Sequence, residues 1–153
     1  MILYHGTCVE NLNSILKKGL LPRRVTKKSN YKGIGDLQSL RELVYFTKTP
    51  GLAEELAQTV NFDQAGVIIK VNVLEKCLYP DEDFINGMLD PDYCLEDNST
   101  KAVTSFKQLA EYKHLWKKSL SKHGTAACEG VAPSRIVGYL KFGYDVQRRW
   151  IKV

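Results

Sequence analysis

Apolar residues follow a strand-like pattern at the start of the chain and a helical pattern directly after it. The run Ile2-Leu3-Tyr4 predicts a strand that ends at a His5-Gly6 turn. From Thr7 onward the apolar spacing is helical, and Thr7 with Glu10 fits a capping box. Gly19 is placed to end this helix. The N-terminal segment is therefore predicted to be a strand, an exposed His-Gly turn and a short helix.

A second strand-to-helix unit is predicted in the middle of the chain. The β-prone run 43–46 is followed by Thr49 as N-cap and Pro50 at the first helical position. Residues 66–73 alternate valine and isoleucine on one face, which is typical of a buried strand. The polar segment 21–40 contains glycine and predicts a long loop of the kind that often binds ligands.

The C-terminal half adds a helix and three strands. The acidic segment before it contains proline and glycine breakers and is expected to be irregular. A helical pattern runs from Val103 to about Ser121, and Gly124 of His123-Gly124-Thr125 is interpreted as its C-terminal cap. The last predicted strands are 126–131, 136–142 and 144–153, with the closing pair forming a hairpin near Gly143. Helices between early strands and strands clustered at the end indicate an α+β fold.

The composition indicates one globular domain that spans residues 1–153. Of the 153 residues, 44% are hydrophobic and 25% are charged, and no apolar stretch is long enough to span a bilayer. The N-terminus lacks the pattern of a signal peptide, and the four cysteines are scattered. We therefore expect a cytoplasmic monomer with reduced thiols and no membrane association. No metal is expected, because His5 and Cys8 lack a second ligand pair.

The net charge of +5 is distributed unevenly along the chain. Segment 17–32 carries only basic charged residues, and segment 81–97 carries only acidic ones. The basic segment suits a polyanion such as nucleic acid or the pyrophosphate of a nucleotide. It equally suits an acidic protein surface, or simply forms a solvated loop.

Three separated segments combine polar and aromatic residues in a specific order: His5-Gly6-Thr7, Tyr45 within Val44-Tyr45-Phe46-Thr47, and Glu129 shortly before the run 136–142. This order resembles the diphtheria-toxin-like ADP-ribosyltransferases, the His-Tyr-Glu class that includes the poly(ADP-ribose) polymerases. The resemblance implies a split antiparallel β-sheet core with flanking helices. It also implies a transferase of the glycosyltransferase class that uses NAD as co-substrate and releases nicotinamide.

The resemblance also implies a role for each residue. Glu129 would stabilise the positive charge that develops on the ribose when nicotinamide leaves. Tyr45 would stack on the nicotinamide, and the backbone of Gly6 would bind its carboxamide. His5 would hold a ribose hydroxyl, and Thr7 would support it or cap the helix. His5, Tyr45 and Glu129 are thus the expected catalytic residues, and His5, Gly6, Thr7 and Tyr45 the expected NAD-binding residues.

Two departures from the family pattern leave alternatives open. Ala53 and Leu56 stand where polymerases place a serine and a second stacking tyrosine, which favours a mono-ADP-ribosyltransferase. A subgroup that modifies rifamycin antibiotics uses an aspartate after the central strand, a place that Asp81 or Asp83 could take. RNA 2'-phosphotransferases share the fold, but their signature is not evident.

The acceptor is expected to be a macromolecule, either protein or nucleic acid, that two basic elements flanking the cleft would attract. These elements are segment 17–32 and the helix that carries Lys107, Lys113, Lys117 and Lys118. A small-molecule acceptor and a non-enzymatic binding or inhibitor protein that keeps the fold are the alternatives.

Overall fold

The computed structural model describes residues 1–28, 39–60, 65–94, 101–143 and 146–153. Its strands are β1 (Ile2–Cys8), β2 (Val44–Thr47), β3 (Gly66–Asn72), β4 (Tyr79–Pro80), β5 (Thr125–Cys128), β6 (Ile136–Phe142) and β7 (Trp150–Lys152). Its α-helices are α1 (Leu12–Lys18), α2 (Arg23–Thr26), α3 (Pro50–Val60), α4 (Glu82–Leu89), α5 (Phe106–Glu111) and α6 (Trp116–Lys122). The strands form one antiparallel sheet in the order β4-β5-β2-β1-β3-β6-β7, so the α+β class is confirmed.

The first strand is longer than the sequence predicts. It continues through His5-Gly6-Thr7 to Cys8, because it pairs with β3 at seven successive positions that end at Cys8 opposite Gly66. A single 3₁₀ turn, Val9–Asn11, then leads into α1. The predicted capping box at Thr7 is therefore wrong, since strand pairing outweighs a local capping signal. Gly19 does end α1, with φ 84° and its N–H bonded to the Ile15 carbonyl.

The central strand-to-helix unit forms as predicted. Strand β2 is followed by α3 with Pro50 at its first position. The Thr49 hydroxyl accepts a hydrogen bond from the Leu52 N–H at 3.3 Å, as an N-cap residue does. The pairing of β2 with β1 is restricted to one register position, Tyr4 opposite Thr47.

The acidic segment is ordered rather than irregular over most of its length. Strand β4 pairs with β5, and α4 begins directly after it. The Asp81 carboxylate accepts a hydrogen bond from the Asp83 N–H at 2.9 Å and so caps α4. Acidic residues in the first turn of a helix are favoured by its dipole, so the acids that suggested a loop in fact start a helix. Residues 95–100 lie outside the described residues.

The predicted helix from Val103 to Ser121 is divided into two. Helix α5 begins at a capping box formed by Ser105 and Gln108, a 3₁₀ turn Lys113–Leu115 follows, and α6 completes the segment. Gly124 follows α6 with φ 83°, in agreement with its predicted capping role. Strands β6 and β7 pair antiparallel, which confirms the closing hairpin; residues 144–145 between them lie outside the described residues.

The two faces of the sheet are buried by different helices. Along β3, Val67, Ile69 and Val71 contribute to the largest core cluster, which also contains residues from α1 and α6. Ile68, on the opposite face, belongs to a smaller cluster with Ala53 of α3. A third cluster joins α4 and α5 to β4 and β5. Among the described residues, no helix has the length and apolar character that a membrane crossing requires.

Candidate functional site

A cleft of about 740 Å³ opens beside β1 and β2. Its lining includes residues of β1, β2, α1, α2, the middle of α3, the start of α4 and the turn after α6. His5, Gly6, Thr7 and Tyr45 all line it, so the structure brings together the four predicted NAD-binding residues from two separate strands.

His5 has a defined tautomer in this cleft. Its Nδ1 lies 2.9 Å from the backbone carbonyl oxygen of Tyr45. A carbonyl oxygen can only accept, so Nδ1 carries the proton and Nε2 of the neutral ring is an acceptor. Burial lowers the pKa of His5, although the Tyr45 carbonyl partly opposes this effect. His5 is therefore neutral at neutral pH and presents a hydrogen-bond acceptor.

Gly6 is required by the fold as well as exposed to the cleft. A Cβ atom at this position would lie 2.0 Å from the carbonyl oxygen of Ala53 and 2.8 Å from the Cβ of Ala57, both on α3. Such distances are far inside van der Waals contact, so only glycine lets α3 approach β1 this closely. The predicted contact of Gly6 with a carboxamide remains a prediction.

Thr7 connects the motif, through Asn11, to Lys28 just beyond α2. Its Oγ1 accepts a hydrogen bond from Nδ2 of Asn11 at 3.1 Å, and Oδ1 of Asn11 accepts one from Nζ of Lys28 at 2.7 Å. Thr7, Asn11 and Lys28 all line the cleft. The side chain of Asn11 thus holds an ammonium group at the cleft wall, a contact that the sequence alone did not indicate.

Tyr45 is bonded to a carboxyl group that the sequence reasoning missed. Its hydroxyl donates to Oε2 of Glu82 at 2.5 Å, and the Leu40 N–H donates to Oε1 of the same side chain at 3.2 Å. Glu82 is only 4% exposed, yet it lines the cleft. The sequence signal that could have identified Glu82 is its position in the first turn of a helix directly after a strand, but this helix was not predicted.

Burial shifts the ionisation of this pair. The pKa of Glu82 is raised from 4.5 to about 8, mainly by burial and then by the negative charge of Asp81. Burial and the same two acids raise the pKa of Tyr45 well above its ordinary value. At neutral pH the site therefore holds a neutral tyrosine beside a carboxyl group poised between its protonated and ionised forms.

Glu129 lies outside the cleft. It is exposed, it follows the last residue of β5, and its carboxylate accepts a hydrogen bond from the Tyr79 hydroxyl at 3.1 Å. The sequence predicts Glu129 beside Tyr45, but its side chain turns toward β4 instead, and the described lining of the cleft does not include it. The acids that line the cleft are Asp81, Glu82 and Asp83.

One of the two predicted basic elements reaches the cleft. Lys18, Arg23 and Lys28, from the first basic segment, line it together with Lys101. Arg23 also donates a hydrogen bond to the Ser39 carbonyl. The described lining contains none of Lys107, Lys113, Lys117 and Lys118, so the cations of the second predicted element do not line this cleft. Residues 29–38 of the first segment lie outside the described residues.

Within the described part of the chain, no group of three or more histidine, cysteine or acidic residues is arranged to hold a metal ion.

Comparison with solved structures shows that the fold of this chain is shared with a known protein. The solved structure of EcPltA, one of 16 matching chains, superposes with a TM-score of 0.53 over 97% of this chain and 81% of that chain, at 12% sequence identity. No family model and no curated protein sequence matches the chain. The arrangement of the α+β elements is thus shared with a structure already solved.

Proposed function

We propose that the protein is an NAD-dependent mono-ADP-ribosyltransferase that transfers ADP-ribose to a macromolecular acceptor and releases nicotinamide. One observation carries the proposal: His5 and Tyr45, forty positions apart, are joined by a hydrogen bond in one cleft, and Tyr45 is bonded in turn to the buried Glu82. A histidine acceptor, an aromatic ring and a carboxyl group in one site are the groups that the family resemblance implies for cleavage of the NAD glycosidic bond.

The pairing of the strands supports the corresponding core. Strand β1 pairs with β3 at seven positions but with β2 only at Tyr4. The cleft lies where β1 and β2 separate, and we interpret this separation as the split of an ADP-ribosyltransferase-like sheet. The likeness to EcPltA is consistent with this core because it covers nearly the whole chain.

Glu82 takes the carboxylate role that the resemblance implied for Glu129. As nicotinamide leaves, positive charge develops on the ribose, and a carboxylate held beside it stabilises that charge. The same charge favours the ionised form of Glu82, whose pKa of about 8 is within reach of neutral pH. Tyr45 offers its ring to the nicotinamide while its hydroxyl holds Glu82 in place.

The charges that line the cleft match the charges of NAD. Asp81, Glu82 and Asp83 lie at the start of α4, and Lys18, Arg23 and Lys28 lie on α1, α2 and just beyond. The nicotinamide ring of NAD is cationic and its diphosphate is anionic. We therefore orient NAD with nicotinamide ribose toward the acids and diphosphate toward Lys28, whose ammonium group is fixed by Asn11. His5 Nε2 then accepts a hydrogen bond from a ribose hydroxyl.

Activity measurements on two glutamate variants test the proposal. Glu82→Gln should bind NAD within severalfold of wild type but release nicotinamide about a hundredfold more slowly or worse, because an amide carries no negative charge. Glu129→Gln, which changes an exposed acid outside the cleft, is the matched control and should retain activity. The opposite pattern would return the role to Glu129. A wild-type protein that does not bind NAD in calorimetry would refute the function.

The acceptor can be classified with labelled NAD and a cell lysate. Label that resists nuclease but not protease identifies a protein acceptor, and the reverse identifies nucleic acid. Label found only in small molecules would refute a macromolecular acceptor. That outcome would favour the small-molecule alternative, which the exposed apolar residues Leu21, Val25 and Leu56 in the cleft lining also suit.

A further inference from the structure

The second His-Gly-Thr sequence contributes to the same cleft as the first. Gly124 reverses the chain after α6 with φ 83°, so that His123 precedes the turn and Thr125 opens β5. His123 and Thr125 both line the cleft, and His123 is exposed. A cap that merely ends a helix does not require a histidine that lines a ligand-sized cavity.

The sheet places Asp81 next to this turn. Pro80 of β4 pairs with Ala126 of β5, so Asp81 follows opposite Thr125. The hydroxyl of Ser119, which is fully buried, joins the two segments. It accepts a hydrogen bond from the Asp81 N–H at 3.0 Å and donates one to the Thr125 carbonyl at 2.9 Å. The carboxyl group of Asp81 is therefore fixed beside the His123 turn by the fold itself.

The Thr125 hydroxyl and the Asp81 carboxyl group lie close together in this corner of the cleft. Thr125 is 7% exposed, and its Oγ1 has no hydrogen bond of normal geometry within the described residues, although it lies near enough to the Asp81 carboxyl to affect it. Burial, then the charge of Asp83, raises the pKa of Asp81, while Thr125 and His123 lower it. His123 also contacts the Phe84 ring at 6.4 Å between centroids.

We propose that His123, with Asp81 beside it, accepts the proton of the acceptor nucleophile during ADP-ribose transfer. The inference rests on the proposed function and adds a second catalytic group to it. The bond between nicotinamide nitrogen and ribose C1 breaks, and its electron pair goes to the nicotinamide ring. A neutral O–H or N–H nucleophile forms a new bond to C1, and its proton moves to the imidazole of His123. Asp81 stabilises the resulting imidazolium.

The two carboxyl groups thereby have separate tasks. Both oxygens of Glu82 accept hydrogen bonds, from Tyr45 and Leu40, and Tyr45 is in turn bonded to His5. Asp81, the residue before Glu82, caps α4 and lies opposite Thr125 of β5. NAD cleavage is therefore assigned to the bonded group His5–Tyr45–Glu82, and acceptor activation to the pair His123–Asp81.

The test uses a nucleophile that has no proton to lose. Turnover of NAD in water that contains sodium azide gives ADP-ribose from water and ADP-ribosyl azide from the anion, and chromatography measures their ratio. Removing a general base slows attack by water but not by azide. His123→Gln should therefore raise the azide-to-water product ratio by on the order of tenfold to a hundredfold. His114→Gln is the matched control, because His114 is an exposed histidine outside the described cleft lining.

The outcomes separate this inference from the proposed function. An unchanged product ratio in His123→Gln, or an equal rise in His114→Gln, would overturn the role of His123 while leaving the transferase intact. Glu82→Gln should lower total nicotinamide release without changing the ratio. A wild type that releases no nicotinamide would refute the proposed function, and the role of His123 with it. Since His123 is exposed, thermal unfolding of its variant should match that of wild type.

Discussion

Replacing Glu82 with glutamine should remove a pH-dependent loss of stability. The pKa of this side chain rises from 4.5 in the unfolded chain to about 8 in the folded protein, mainly through burial. A raised pKa means that the folded state favours the protonated form. The contribution of Glu82 to the free energy of unfolding is therefore fully present below about pH 4.5 and is lost as the pH rises through about 8. The full shift corresponds to a loss of up to about 5 kcal/mol in the free energy of unfolding.

Glutamine stays neutral at every pH while its carbonyl oxygen still accepts the hydrogen bond from Tyr45. Urea unfolding followed by tryptophan fluorescence at about pH 5.5 and about pH 8.5 gives the free energy of unfolding of each protein. Between these values, wild type should lose roughly 3 kcal/mol more than Glu82→Gln. Glu129→Gln should follow the wild-type curve because that residue is exposed. Parallel curves for wild type and Glu82→Gln would show that Glu82 does not titrate in this range.

The remaining predictions concern a close contact, a fixed cation and the pH dependence of activity. Gly6→Ala should destabilise the protein by about 3 kcal/mol or prevent folding, because its Cβ would meet the Ala53 carbonyl oxygen at 2.0 Å. Gly51→Ala, whose Cβ meets nothing within 4 Å, should instead be neutral or slightly stabilising in thermal unfolding. Lys28→Met should weaken binding of NAD and ADP-ribose about tenfold in calorimetry but leave nicotinamide binding unchanged. A variant that binds NAD and ADP-ribose as tightly as wild type does would contradict diphosphate binding at Lys28. The value of kcat/KM should rise with pH along a limb centred near 8, where Glu82 ionises, and a flat profile would contradict this.

Local patterns predicted the elements that depend on local chemistry. Pro50 and Gly124 mark a helix start and a helix end in both sequence and structure, because their backbone preferences act regardless of what lies nearby. The valines and isoleucines of 66–73 likewise predicted β3. These features needed no knowledge of the partner strands.

The features that depend on distant partners could not be predicted in the same way. Thr7 looked like a helix cap, but the pairing of β1 with β3 extends the strand past it. Glu82 is recognisable only once β4 and β5 are paired, since that pairing brings the start of α4 to Tyr45. Glu129 matched the family pattern in order, yet its side chain is bonded to Tyr79 of β4 and lies outside the described cleft lining. The order of motifs along a sequence shows which residue types follow one another, but it does not show which way a side chain points at the end of a strand.

Tyr45 makes two hydrogen bonds, one through its backbone carbonyl and one through its hydroxyl, and together they have a further consequence. Its backbone carbonyl keeps the proton of His5 on Nδ1, and its hydroxyl is bonded to Glu82. The positions of the imidazole and of the carboxyl group therefore both depend on this one residue. A displacement of β2 would disturb both at once. Substitutions at His5 and Glu82 should therefore be non-additive even though the two side chains lie on different elements. Natural variation at either position would be constrained by the other through a tyrosine that itself need not change.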